Sequence, residues 1–306
     1  MRLAVPLLLA LLFFSSGGRA ACAALTVAGF TAERHDRFEN NPSFVGAAFD
    51  WSGVGRSDTT AWGTLVSPSY VIGATHYAPN GTLRFYKTND PSGGPTTYVE
   101  RVVAAATQIV GSDLYLARLA TPISPGEGIA SYEIATFEGT SYLDREIYTF
   151  GKSTGILTTQ ADQRLGRNQI DQLLPNFSDP VLAPTVGDAI LFDYDVTNGF
   201  VPDESQVQGG DSGAPSLTIV DGKPAIVGIH WFQYSVDEFT PNPGSGDTFV
   251  SSYVNALNLA MILLTPAGQP VETVQTAKVA AVPEPGSLAL ACVMLLTATC
   301  GRRLTR

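Results

Sequence analysis

The chain has 306 residues, 44% of them apolar, with 30 glycines and 20 prolines. That length and composition fit one large or two small globular domains, rich in turns and with a sizeable core. The net charge is −10, and −14 over residues 24–281, which argues against nucleic acid or an anionic membrane surface as a partner of the core.

In chain order, Arg2, the apolar run Leu3–Phe14 and the small residues that follow predict a secretory signal peptide over 1–23. Gly18-Arg19-Ala20 and Ala21-Cys22-Ala23 both offer cleavage sites. Residues 24–41 read as a leader, 43–51 as an apolar segment and 52–60 as a polar turn. Residues 61–76 read as two strands broken at Ser67-Pro68. Asn80-Gly81 signals a hairpin before a strand at 83–87. Residues 98–109 and 113–119 read as further strands, and the Pro/Gly-rich loop 121–128 opens a crossover reaching to about 145.

Beyond the crossover, 146–151 reads as a strand, 160–173 as loop or short helix and 189–195 as a strand. Residues 216–231 read as a hairpin about Asp221-Gly222, with a short strand at 248–250. Val254, Leu257, Leu259 and Met261 recur at helical spacing and predict a helix over 253–264. Residues 265–281 read as a linker. Short strands with frequent turn signals and one late helix argue an all-β protein.

Three stretches carry chemistry. Gly209-Gly210-Asp211-Ser212-Gly213-Ala214-Pro215 presents a serine between glycines that allow positive φ. The backbone N–H groups of Gly210 and Ser212 are placed to converge on a developing oxyanion. A serine nucleophile needs a base and an orienting group. Among only three histidines, His76 ends the run Gly63–His76. Asp113 opens the apolar run Asp113–Leu119, where a buried carboxylate must be paired. The order is His, Asp, Ser, with separations of 37 and 99 residues. That is not the Ser, Asp, His order of α/β-hydrolases, and no Gly-x-Ser-x-Gly elbow is present.

These runs resemble the trypsin/chymotrypsin-like serine proteases. GGDSGAP is similar to that family's GDSGGP loop, with Ala214 for a glycine. Gly63–His76 is similar to the strand that ends at its catalytic base, with Tyr77 where many members have a disulfide cysteine. Ser112–Leu119 is similar to its Asp-led strand, and Ile226–Trp231 to the strand that pairs with substrate. The resemblance implies two six-stranded antiparallel β-barrels over 24–264, with the site in the cleft between them and the C-terminal helix behind. It implies a triad of His76, Asp113 and Ser212 and an oxyanion hole at Gly210 and Ser212. Gln206, His230, Trp231 and Phe232 become substrate-binding positions. No metal or cofactor is implied. Gln206 stands near the pocket base and gives no support for a Lys or Arg preference; Phe232 narrows the pocket toward small side chains. His230 replaces the family's serine, with a structural or substrate-facing role favoured over that of base. No trypsin-like processing site precedes Ser43, so Asp211 is expected to pair with an internal base such as Arg34 or Arg37, or with a differently made N-terminus. Without such a partner, the oxyanion loop is expected to be disordered or collapsed.

Val282-Pro283-Glu284-Pro285, the apolar run 288–299 and Arg302, Arg303 and Arg306 resemble a PEP-CTERM sorting signal over 282–306. That resemblance implies a Gram-negative bacterial protein exported to the cell envelope or matrix. It further implies transient membrane association and processing by an exosortase-type enzyme. Cys22, Cys292 and Cys300 all lie in the two end segments, so the core is disulfide-free. The expected activity is hydrolysis of protein or peptide substrates through an acyl-enzyme. The competing expectation is a catalytically silent binding or matrix protein on the same fold.

Overall fold

The computed structural model describes residues 23–154, 160–178, 185–196, 199–235 and 242–280. The protein is all-β with a C-terminal helix, built in two halves. Residues 1–22 and 281–306, which hold nearly all of the segments read as a signal peptide and a sorting signal and all three cysteines, lie outside the described residues.

The chain enters along β1 (Thr26–Val27) and a short helix α1 (Ala32–His35). The first half is a closed antiparallel barrel of β2 (Val54–Ser57), β3 (Trp62–Ser67), β4 (Tyr70–Ala74), β5 (Thr82–Tyr86), β6 (Tyr98–Gln108) and β7 (Leu114–Leu119). Its strands run in the order β2-β3-β4-β7-β6-β5. Side chains alternate across each strand. Val71, Leu83, Phe85, Ala117 and Leu119 therefore fill the barrel, while Tyr70, Ile72, Ala74, Leu114 and Leu116 face outward into a second core. That second core joins the two halves: Trp51, Trp62, Phe150, Leu217, Ile229, Leu257 and Met261 all pack in it.

The second half holds β8 (Glu133–Phe137), β9 (Glu146–Gly151), β10 (Arg164–Gln169), β11 (Gln172–Ser178), β12 (Val186–Asp193), β13 (Ser205–Gln206), β14 (Pro215–Val220), β15 (Lys223–Tyr234) and β16 (Gly244–Phe249). Its main sheet runs β10-β9-β14-β15-β16-β12-β11. The two ends of that path, β10 and β11, are separated in sequence only by Ile170-Asp171. Ile170 N–H bonds Arg145 O on one side, and Asp171 N–H bonds Leu191 O on the other. The continuous segment 164–178 thus hands its pairing from β9 to β12, and the sheet curls round on itself. β1 pairs with β13. Helix α2 (Val254–Leu264) buries Leu257, Ala260 and Met261 and leaves Leu259, Ile262 and Leu263 exposed. It closes the molecule behind β6 and β7, where Tyr70 Oη donates to Met261 O at 3.0 Å.

Four sequence expectations change. Residues 164–169 are a strand, not loop or helix. Their inward polar groups are all satisfied: Arg164 bonds Asp36, Leu25 O and Ser153 O, and Asn168 bonds Asp193 O and Ser205 O. The polar stretch 52–60 contains β2, whose Arg56 is buried against Asp162 and the Thr60 carbonyl. Asn80-Gly81 does turn, with Gly81 at φ +73°, but β5 pairs with β2 and β6 rather than with β4, so no hairpin forms there. Residues 265–280 are part of the fold: β17 (Thr276–Val279) pairs in parallel with β8.

Candidate active site

His76 follows β4 and Asp113 immediately precedes β7. These strands are paired, with Ala74 opposite Leu114, so the register places the imidazole beside the carboxylate. His76 Nδ1 lies 2.5 Å from Asp113 Oδ2, and the His76 N–H reaches Asp113 Oδ1 at 3.1 Å. Asp113 is 1% exposed, whereas the His76 ring is 19% exposed. Thr75 N–H to Asp113 O and Thr75 Oγ1 to Leu114 O tie the two chain segments together.

Ser212 sits partly exposed in the turn that precedes β14. Gly210 has φ +93° and Gly213 φ +84°, values that exclude ordinary side chains. At Gly213 the need is also steric: a Cβ there would lie 3.0 Å from Ala74 N. The residue after Ser212 therefore packs directly on the strand end that carries His76 two positions later. Among the described residues, no acceptor takes the N–H of Gly210 or of Ser212. Both donors point to no internal partner, as a site that binds an oxyanion requires.

The turn is closed by two bonds of its own backbone, Asp211 N–H to Gln208 O and Ala214 N–H to Asp211 O, and is tied to β15 by Gly213 N–H to His230 O. Asp211 is completely buried and accepts the N–H groups of Lys152 and Gln208, both at 2.8 Å. Burial holds its carboxyl up at about 6, against the downward pull of those two N–H bonds and of the charges of Lys152 and His230. The expected partners are engaged elsewhere. Arg34 grips Asp203, and Arg37 bonds Gln163, Asn89 and the carbonyls of Trp51 and Tyr86. Neither reaches Asp211, yet the loop is ordered, because backbone donors and Lys152 do the work assigned to a distant arginine.

Of the roles open to His230, burial excludes the substrate-facing one. Its ring is buried, with Nδ1 2.6 Å from Asp247 Oδ1 and Nε2 2.8 Å from Phe150 O. Burial alone would lower its pKa, but Asp247, Asp211 and the Phe150 carbonyl outweigh it and raise it. The ring is held between an acceptor at each nitrogen and is buried in the core, so it neither faces substrate nor serves as the base.

The other expected binding positions line β15 and its neighbours. Phe232 is part-exposed; its ring stacks on Phe177 at 4.5 Å and covers Gly246, where a Cβ would strike it. Trp231 is buried edge-on to both rings, its indole N–H without a partner among the described residues. Gln206 pairs with Thr26 and points its amide toward Gly244 O at 3.4 Å. Among the described residues, no group of three or more His, Cys, Asp or Glu side chains could hold a metal ion.

Three contributors were invisible in the sequence. Lys152 donates its ammonium to Gly209 O at 2.9 Å, Trp62 Nε1 donates to Gly210 O at 3.3 Å, and Asp247 holds His230. Each acts across more than a dozen residues of chain, and only the lone Lys in the otherwise uncharged run Ile147–Gly155 offered a local signal. No protein-family model matches the chain, and no curated protein matches it. The functional reading therefore rests on its own residues.

Proposed function

We propose that the protein is a secreted serine endopeptidase of the trypsin/chymotrypsin-like kind. The observation that carries this reading is the buried Asp113 carboxylate bonded to the part-exposed imidazole of His76, with Gly213 of the serine turn packed on the strand end that leads to His76 and, among the described residues, no acceptor on the N–H groups of Gly210 and Ser212. In this reading Asp113 fixes the Nδ1–H tautomer of His76, leaving Nε2 to take the Ser212 proton. Ser212 attacks the peptide carbonyl, and the N–H groups of Gly210 and Ser212 receive the negative oxygen. His76 then protonates the leaving amine, and water repeats the cycle on the acyl-enzyme.

Export follows from the N-terminal apolar run, and a passage through the membrane with exosortase-type processing from the Pro-Glu-Pro tail. Among the described residues no helix is long and apolar enough to cross a membrane. The decisive experiment is labelling with a fluorophosphonate, with Ser212→Ala as the control, followed by turnover of a peptide library. Ser212-dependent labelling with turnover supports the endopeptidase. A folded protein that neither labels nor cleaves leaves the binding or matrix protein.

A further inference from the structure

Lys152 lies just past β9, and its side chain is completely buried. It grips the serine turn at two points: its ammonium donates to Gly209 O at 2.9 Å, and its own N–H donates to Asp211 Oδ1 at 2.8 Å. The residue between those points is Gly210. A peptide unit is planar and trans, so the carbonyl of Gly209 and the N–H of Gly210 belong to one rigid plate and point in opposite directions. Holding that carbonyl inward on a buried ammonium aims the Gly210 N–H outward. The next plate is held as well, because Trp62 Nε1 donates to Gly210 O at 3.3 Å.

Glycine at φ +93° gives this turn little intrinsic stiffness, so the plate's direction must come from outside it. Desolvating an ammonium is costly, and an apolar side chain of the same length would fill the space more cheaply. What the cation supplies, and a methionine cannot, is a strong charge-assisted donor at Gly209 O. We propose that Lys152 is a positioning residue for the oxyanion site, fixing the orientation of the Gly209–Gly210 peptide. This inference rests on the reading of Ser212 as a nucleophile.

The test compares the secreted, signal-processed protein with Lys152→Met and with Lys152→Gln, which keeps a shorter, neutral donor. Circular dichroism verifies folding. Hydrolysis of a peptide ester gives kcat and KM, and inhibition is measured with a peptide aldehyde and the matching alcohol. Only the aldehyde forms a tetrahedral adduct that needs the oxyanion donors. For K152M we expect kcat to fall about 10²–10³-fold, the range for loss of an oxyanion donor, with KM nearly unchanged. Aldehyde affinity should fall in parallel, alcohol affinity should hold, and K152Q should lie between. Unchanged kcat in folded K152M, or equal losses for aldehyde and alcohol, overturns the proposal. If K152M does not fold, K152Q carries the test, and wild-type kcat in it overturns the proposal. A wild type that neither labels at Ser212 nor turns over removes the protease reading by itself. Crystal structures of wild type and K152M then decide the positioning: a Gly209 carbonyl that turns outward in the variant supports it, and one that stays overturns it.

Discussion

His76 is held by both oxygens of Asp113, the ring through Nδ1 at 2.5 Å and the backbone N–H at 3.1 Å. One carboxylate thus sets the tautomer of the imidazole and the position of the residue that bears it. Asp113→Asn keeps the shape and can keep the backbone bond, but its amide can present a donor to Nδ1 and favour the wrong tautomer. We expect kcat for peptide hydrolysis to fall about 10⁴-fold, the size of loss found when a triad aspartate becomes asparagine, with little change in the melting temperature. A loss under tenfold would show that Asp113 does not govern the imidazole.

That pair was legible in the sequence because each member sits at the end of an apolar run, and adjacent strands then fix the register. The turn at Ser212 was legible because its glycines can take the positive φ that presents a serine between them. What surrounds the site was not. Arg34 and Arg37 looked available for Asp211 because a sequence shows charges without directions; Asp203 and a ring of carbonyls had already claimed them. His230 left a structural and a substrate-facing role both open because it follows a strand pattern that faces substrate elsewhere; its partners, Asp247 on the neighbouring strand and the Phe150 carbonyl, are distant in sequence. The strand 164–169 was hidden by its polar residues, whose partners come from distant segments and make burial of Arg164 and Asn168 affordable in free energy.

Stability should depend on pH in an unusual direction. Burial raises Asp171 to about 6, Glu204 to about 7 and Asp211 to about 6. Each holds its proton in the fold across a range where the unfolded chain has released it. Their contribution is complete below the unfolded carboxylate values and is lost as pH rises through 6 to 7. Asp203 works the other way: burial is outweighed by Arg34, His35 and Arg167, its pKa is lowered, and its stabilisation disappears only as pH falls below the usual carboxylate range. For the fully buried Asp211 alone, the loss is on the order of 3 kcal/mol. The melting temperature should therefore be higher near pH 4.5 than near pH 7.5. Glu204→Gln should flatten the decline; a melting temperature that rises between those values contradicts it.

On the endopeptidase reading, Phe232 is the residue expected to set the size of side chain that the site accepts. Its ring lies over Gly246 and is fixed there by stacking on Phe177, so the space beside β15 is already filled. Phe232→Gly should raise kcat/KM for peptides with a large apolar residue before the scissile bond. The expected gain relative to alanine is roughly 10–200-fold, the range for apolar pocket discrimination. An unchanged preference would place the specificity elsewhere.

The segment after the helix should be needed for stability, although its composition reads as a spacer. Glu272 accepts the Ser69 N–H at 3.0 Å and the Ser69 hydroxyl at 2.5 Å, anchoring the return path to the first barrel. Val274 N–H bonds Asn258 Oδ1, and Ile134 N–H bonds Gln275 O, before β17 adds itself to β8. Val274 and Val279 are both about 5% exposed, the first packed in the core shared by the halves and the second beside Phe249. Burying a valine contributes about 1.5–3 kcal/mol, so the two side chains together are a large share of the marginal stability of a domain. Removing 266–280 also uncovers the backbone of β8, an edge that invites pairing with another chain. A chain ending at Thr265 should therefore unfold at clearly lower denaturant concentration than one ending at Ala280. It should also aggregate on concentration, which light scattering would detect. Equal midpoints for the two would return the segment to the role of a passive spacer.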